Sequence, residues 1–133
     1  MKIRKALAAT FGTLAMSLIS ISPASADSSG WQNLGNSNFH SCGTYCHTDV
    51  FSSGGGYVRT YLYTPSSNIK SVQVWEYDPD NADDFIITLD LADYWYKDCY
   101  VGNFTDGSNG EAEIYYRYSD SVFTGGDFVQ VYD

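Results

Sequence analysis

The chain has 133 residues, with 16 Asp and Glu against 7 Lys and Arg and a net charge of −9. That length allows one domain, and the acidic balance excludes nucleic-acid backbones and anionic membrane surfaces as partners, because both would repel it. Aromatic residues at 17% and hydrophobic residues at 44% exclude intrinsic disorder, since such a chain can bury enough apolar surface to offset its ordering entropy.

Residues 1–26 read as a secretory signal peptide. Lys2, Arg4 and Lys5 precede the apolar and small stretch from Ala6 to Ile21, and Pro23 with Ala24, Ser25 and Ala26 forms the cleavage site before Asp27. The stretch is interrupted by Thr10, Gly12, Thr13 and Ser17 and is shorter than a bilayer span, which argues against an uncleaved anchor. Cleavage takes three of the seven basic residues and none of the acidic ones, leaving residues 27–133 as one secreted domain with four cations, sixteen carboxylates and a charge of −12. The expected localisation is extracellular, with no membrane contact after cleavage.

The first mature segment, 27–53, is rich in Asn, Ser, Gly and Thr and reads as loop with at most one short edge strand. It holds His40, Cys42, Cys46 and His47, four metal-ligand residue types within eight positions. The usual zinc modules separate two ligand pairs by a dozen or more residues, and covalent haem attachment needs two residues between the cysteines, so neither motif is matched. The expectation for an exported chain is a disulfide and two surface histidines. Cys46 paired with Cys99 is the favoured bridge, with Cys42 as the alternative partner of Cys99, because a loop of over fifty residues gains roughly 4 kcal/mol by chain entropy against about half that for Cys42 with Cys46.

After Gly54, Gly55 and Gly56 come six segments rich in Tyr, Val, Ile and Thr that read as strands: 57–64, 69–77, 85–91, 94–101, 111–118 and 122–132. Turn clusters at 64–68, 78–84 and 106–110, and Gly125 with Gly126, separate them. The expected fold is all-β, a small antiparallel β-sandwich behind a loop-rich N-terminal segment, with a small β-barrel as the alternative.

Alternation assigns faces. Val58 and Leu62 oppose Tyr57, Arg59, Tyr61 and Tyr63; Val72 and Val74 oppose Gln73, Trp75 and Tyr77; Phe85, Ile87, Leu89 and Leu91 form a core set; and Trp95, Cys99 and Val101, with Lys97 on the same side, oppose Tyr94, Tyr96, Asp98 and Tyr100. With the aliphatic sets inward, Tyr57, Arg59, Tyr61, Tyr63, Trp75, Tyr77, Tyr94 and Tyr96 form one outer aromatic face. Flat rings with polar tips lose little rotamer freedom and offer large contact area, so this face is the candidate ligand-binding site. The plainer reading is that half of these tyrosines complete the core.

Asp78, Asp80, Asn81, Asp83 and Asp84 crowd one connector and form a candidate calcium loop, although the glycine and distal Glu of an EF-hand are missing; a solvated acidic turn is the simpler reading. Glu76, Asp90, Glu111 and Glu113 could supply a carboxylate pair for glycoside hydrolysis, but no nucleophile elbow, zinc-protease signature or phosphate loop accompanies them. The sequence therefore points to a non-catalytic secreted protein that recognises an extracellular saccharide or protein. Its competitor is a secreted antagonist: an enzyme inhibitor, antimicrobial protein or toxin.

Overall fold

The computed structural model describes residues 30–64, 69–119 and 125–133. The leader expected over residues 1–26, the centre of the 64–68 turn and the start of the 122–132 segment lie outside the described residues. Among the described residues nine strands follow in chain order: β1 (Asn33–Asn38), β2 (Tyr45–His47), β3 (Phe51–Ser53), β4 (Tyr57–Tyr63), β5 (Ser71–Glu76), β6 (Phe85–Asp90), β7 (Lys97–Tyr100), β8 (Ala112–Ser119) and β9 (Phe128–Tyr132). They form two antiparallel sheets packed face to face, a small β-sandwich. The first sheet has the order β1-β9-β4-β7; the second has the order β2-β8-β5-β6, with β3 also paired to β8. No helix among the described residues is long and apolar enough to cross a membrane.

The core is built by alternation. Val58 and Thr60 from β4, Val129 and Val131 from β9, and Cys99 from β7 point inward from the first sheet. Val72 and Val74 from β5 and Ala112, Ile114, Tyr116 and Tyr118 from β8 meet them from the second, and all are buried. Tyr116 is the largest fully buried side chain, and its hydroxyl shares a 2.6 Å hydrogen bond with Thr60 Oγ1, tying the two sheets together through the middle of the core. Water is excluded there, so burial pushes the Tyr116 phenol far above its usual range.

Three expectations need correction. The described part of the segment 27–53 holds three short strands rather than one, because β1, β2 and β3 add to the edges of the two sheets through backbone hydrogen bonds that do not depend on apolar side chains. In β6 only Leu89 of the proposed core strand set is buried, followed by Leu91, while Phe85 and Ile87 are exposed. A bulge between Val74 and Trp75 shifts the β5–β6 register so that Phe85 pairs with Trp75, and cross-strand partners share a face, so Phe85 is carried to the outside. Ile86 packs against the core instead.

The third correction concerns the disulfide. Cys42 is bonded to Cys46, with Cα atoms 4.1 Å apart, and Cys99 is free and buried. Neither Cys46 nor Cys42 is joined to Cys99, because chain entropy matters only for sulfurs that can meet. Cys46 lies on β2 at one edge of the second sheet, whereas Cys99 lies on β7 at the edge of the first sheet that sits beside β6. Three strand spacings separate β2 from β6, roughly 14 Å, twice the Cα separation a disulfide tolerates.

Candidate functional site

The outer face of the first sheet carries most of the expected aromatic site. Arg59 on β4 pairs across the strands with Asp98 on β7, and its Nε and Nη2 both donate to the carboxylate at 2.8 Å, one to each oxygen. This two-pronged bond holds the guanidinium above its already high ordinary pKa. Rings flank the cation on both sides, Trp31 at 4.3 Å and Tyr96 at 3.9 Å from the guanidinium carbon. Tyr61 lies 5.5 Å from Tyr96 and 5.8 Å from Tyr132, ring centre to ring centre, so the polar pair is embedded in a continuous aromatic sheet.

Beside this pair the face opens into a groove of about 720 Å³. Its floor includes the stacked rings of Tyr63 and Phe128, 4.6 Å apart and inclined by 13°, and its wall is the 92–95 segment with Asp93, Tyr94 and Trp95. Trp95 is 90% exposed and Tyr94 60% exposed, with the Lys97 ammonium 3.8 Å from the Tyr94 ring centre. The 94–101 segment reaches strand geometry only from Lys97, which frees Trp95 from the inward face that alternation alone had assigned to it. Sequence reasoning missed Trp31, Trp95 and Phe128 as members of this surface; the signal for Trp95 was the adjacent turn residues Ala92 and Asp93.

Trp75 and Tyr77 do not join this face. Trp75 belongs to β5 in the second sheet and points to the opposite side of the molecule, with Gln73 and Arg117, and Tyr77 follows directly after it. The single aromatic face expected from the sequence is therefore two faces, back to back. None of Tyr57, Tyr61, Tyr63, Trp75, Tyr94 and Tyr96 is buried, so these rings do not serve as core.

The acidic connector is organised by its own hydrogen bonds. Asp78 Oδ1 accepts the backbone N–H groups of Asp80 at 2.9 Å and Asn81 at 3.2 Å, and its Oδ2 accepts Asn81 Nδ2 at 2.9 Å. The bond from Asn81 leads in holding the Asp78 carboxyl below its ordinary pKa. Asp83 accepts the Asp78 N–H at 3.1 Å and the Tyr115 hydroxyl at 2.8 Å. Among the described residues no three His, Cys, Asp or Glu side chains converge as a metal-ligand group. Asp80 and Asp84 are exposed.

The two histidines form the base of the disulfide loop. Their backbones exchange hydrogen bonds of 2.9 and 3.0 Å, and His40 Nε2 lies 2.9 Å from Asp49 Oδ1. With both neighbouring sulfurs in the disulfide, neither Cys42 nor Cys46 has a thiolate to offer a metal.

The carboxylates weighed for hydrolysis do not gather as one group: Glu111 and Glu113 are neighbours that share Asn109, whose Nδ2 lies 3.5 Å from Glu111 Oε2 and 3.4 Å from Glu113 Oε1, whereas Asp90 and Glu76 are far apart. Asp90 stands opposite Ser71 at the far end of β5 from Glu76, five residues or roughly 17 Å away. Glu76 is 5% exposed, and burial, reinforced by the negative charges of Asp106, Asp84, Asp78 and Asp83, raises its pKa. The ionised form is thus disfavoured in the folded state. Above the folded pKa that cost is present in full; as pH falls through the folded value the carboxyl takes up its proton, and the cost is gone once the unfolded chain protonates as well. Glu76→Gln should therefore melt higher than the parent protein at pH 7, with the difference shrinking toward pH 4. Thermal melts across that range check it, and a gain that is constant or grows in acid contradicts the assignment.

A protein-family model described as the YndA coiled coil domain matches residues 33–131. No curated protein and no solved structure matches. The matched span runs from β1 into β9, and its described residues are strands, turns and one short 3-10 turn at Gly102–Phe104 rather than long helices.

Proposed function

The chain belongs to the family described as the YndA coiled coil domain, and from the surface it presents we propose that it acts by binding, without turnover, recognising an extracellular polysaccharide or protein through the aromatic face of the first sheet. The observation that supports this most is the groove at Tyr63, Tyr94, Trp95 and Phe128, where a tryptophan with 90% of its surface in water stands beside two stacked rings. A large apolar ring left in water contributes nothing to folding, whereas on a partner it gives contact area at little entropic cost. The Arg59–Asp98 pair fixes Tyr96 and Trp31 next to that groove, so the recognition surface exists before a ligand arrives. An extracellular setting is supported by the Cys42–Cys46 disulfide and by the leader read in the sequence.

The test is retention of the protein, freed of residues 1–26, on a panel of insoluble polysaccharides, followed by Trp fluorescence titration with the soluble form of any that retains it. Retention that Trp95→Ala reduces at least tenfold, with an unchanged melting temperature, is the expected result. Retention that survives both Trp95→Ala and Tyr63→Ala would move the site elsewhere. Inhibition of a hydrolase or of cell growth at low concentration, with no polysaccharide retained, would replace this reading by the antagonist.

A further inference from the structure

The second sheet carries on its outer face another cation held among rings. The Arg117 guanidinium carbon lies 3.7 Å from the Trp75 ring centre and 4.1 Å from that of Tyr45, and these rings come from the strands on either side of β8. Its Nε donates to Gln73 Oε1 at 2.9 Å, and the same oxygen accepts the Trp75 Nε1–H at 3.0 Å. Phe85, brought outside by the β6 bulge, abuts Trp75 at 5.5 Å.

This repeats the arrangement of Arg59 with one member missing. Arg59 is flanked by two rings and gives two donors to Asp98; Arg117 is flanked by two rings and is fixed by a neutral amide. The register is the cause, because the residues directly opposite Arg117 are Gln73 on β5 and His47 on β2. Among the described residues no carboxylate pairs with Arg117, although sixteen acidic residues outnumber the basic ones. The guanidinium is thus held in one position with its terminal Nη donors uncommitted, which is the preorganised half of a bidentate contact.

We propose that Arg117, walled by Trp75 and Tyr45, is the binding site for a singly charged carboxylate ligand. The first sheet supplies the precedent for the chemistry, since a fork held among rings in this protein takes a carboxylate at 2.8 Å. Net charge selects the class: an acidic protein repels polyanions, whereas one carboxylate carried on a neutral body meets the local cation without a large opposing field. The uncharged body of the ligand would lie against Tyr45, which is 37% exposed. This site is on the opposite side of the molecule from the Trp95 groove and stands whether or not that groove binds anything.

The test follows the Arg117 Nε–H and Trp75 Nε1–H signals in 1H–15N spectra of the folded protein. Two carboxylates from different sources, glucuronate and an N-acetylated tripeptide with uncharged side chains and a free C-terminus, are titrated beside their uncharged counterparts, glucose and the same N-acetylated tripeptide amidated at its C-terminus. The expected result is a saturable shift of both signals with at least one carboxylate and with neither uncharged counterpart; the responding ligand names the source. In the variants, where the Trp75 Nε1–H signal alone remains as reporter, Arg117→Lys should weaken its response at least tenfold and Arg117→Gln abolish it, with the Arg59 Nε–H signal unmoved throughout. No shift with either carboxylate, or equal shifts with the uncharged counterparts, or a response that survives in both variants, would overturn the proposal and leave the stack a structural element only. Should Arg117→Gln fail to fold, Arg117→Lys still decides, since it retains the charge but not the fork.

Discussion

Replacing Tyr116 by Ala should cost about 3–5 kcal/mol, the range for deleting a large buried ring. The ring has no exposed surface, packs edge-on against Phe51 at 5.9 Å, and sits in β8 at the centre of the second sheet. Its removal leaves a cavity between two sheets, and the valines that face it, Val58, Val72, Val74, Val129 and Val131, are too short and stiff at χ1 to fill it. A domain of this size has only about 5–15 kcal/mol of stability in total, so the melting temperature should fall by tens of degrees. Tyr116→Phe separates packing from hydrogen bonding. It keeps the ring but leaves Thr60 Oγ1, itself fully buried, without its 2.6 Å partner, at a cost of about 1–3 kcal/mol. Urea melts of both variants measure the two terms. If Tyr116→Ala costs no more than Tyr116→Phe, the ring is not the centre of the core described above.

Cutting the disulfide should cost about 2 kcal/mol, because the bridge between Cys42 and Cys46 spans four residues and constrains the unfolded chain only locally. The double variant Cys42→Ser with Cys46→Ser should accordingly melt roughly 8–16 °C lower than the parent. A bridge over the much longer loop to Cys99 would be worth about twice as much. Peptide mapping without reductant gives the sharper answer, since the fragment holding Cys42 and Cys46 should be closed on itself and the fragment holding Cys99 should be alkylated after denaturation. A Cys99 fragment linked to either of the others would contradict the pairing.

The limits of the sequence as a guide can be traced to particular residues. Alternation placed Val58, Val72, Val74 and Cys99 inward, because the period of two runs unbroken along β4, β5 and β7 themselves, and Val101, directly after β7, keeps the same phase. It failed on Phe85, where one extra residue in β6 turns the side chain outward, and a bulge leaves no mark in a run such as Phe-Ile-Ile-Thr-Leu. The aromatic residues of β4 and of the stretch leading into β7 could be recognised as one group, but whether Trp75 joined them depended on which sheet β5 entered. That choice is made by pairing with β8 forty residues away, which no local pattern records. The pairing of cysteines failed for a related reason. Loop entropy ranks bridges that geometry allows, and the geometry came from the same long-range strand order.

Cys99 settles the odd count of sulfurs in a way that bears on handling the protein. The thiol is 4% exposed, and burial, with a smaller contribution from the charge of Asp98, pushes its pKa up to about 12. A sulfur that neither ionises at neutral pH nor reaches the surface cannot start exchange with the neighbouring loop or form a covalent dimer with another copy. The third cysteine is thereby kept out of redox chemistry for as long as the two sheets stay closed over it.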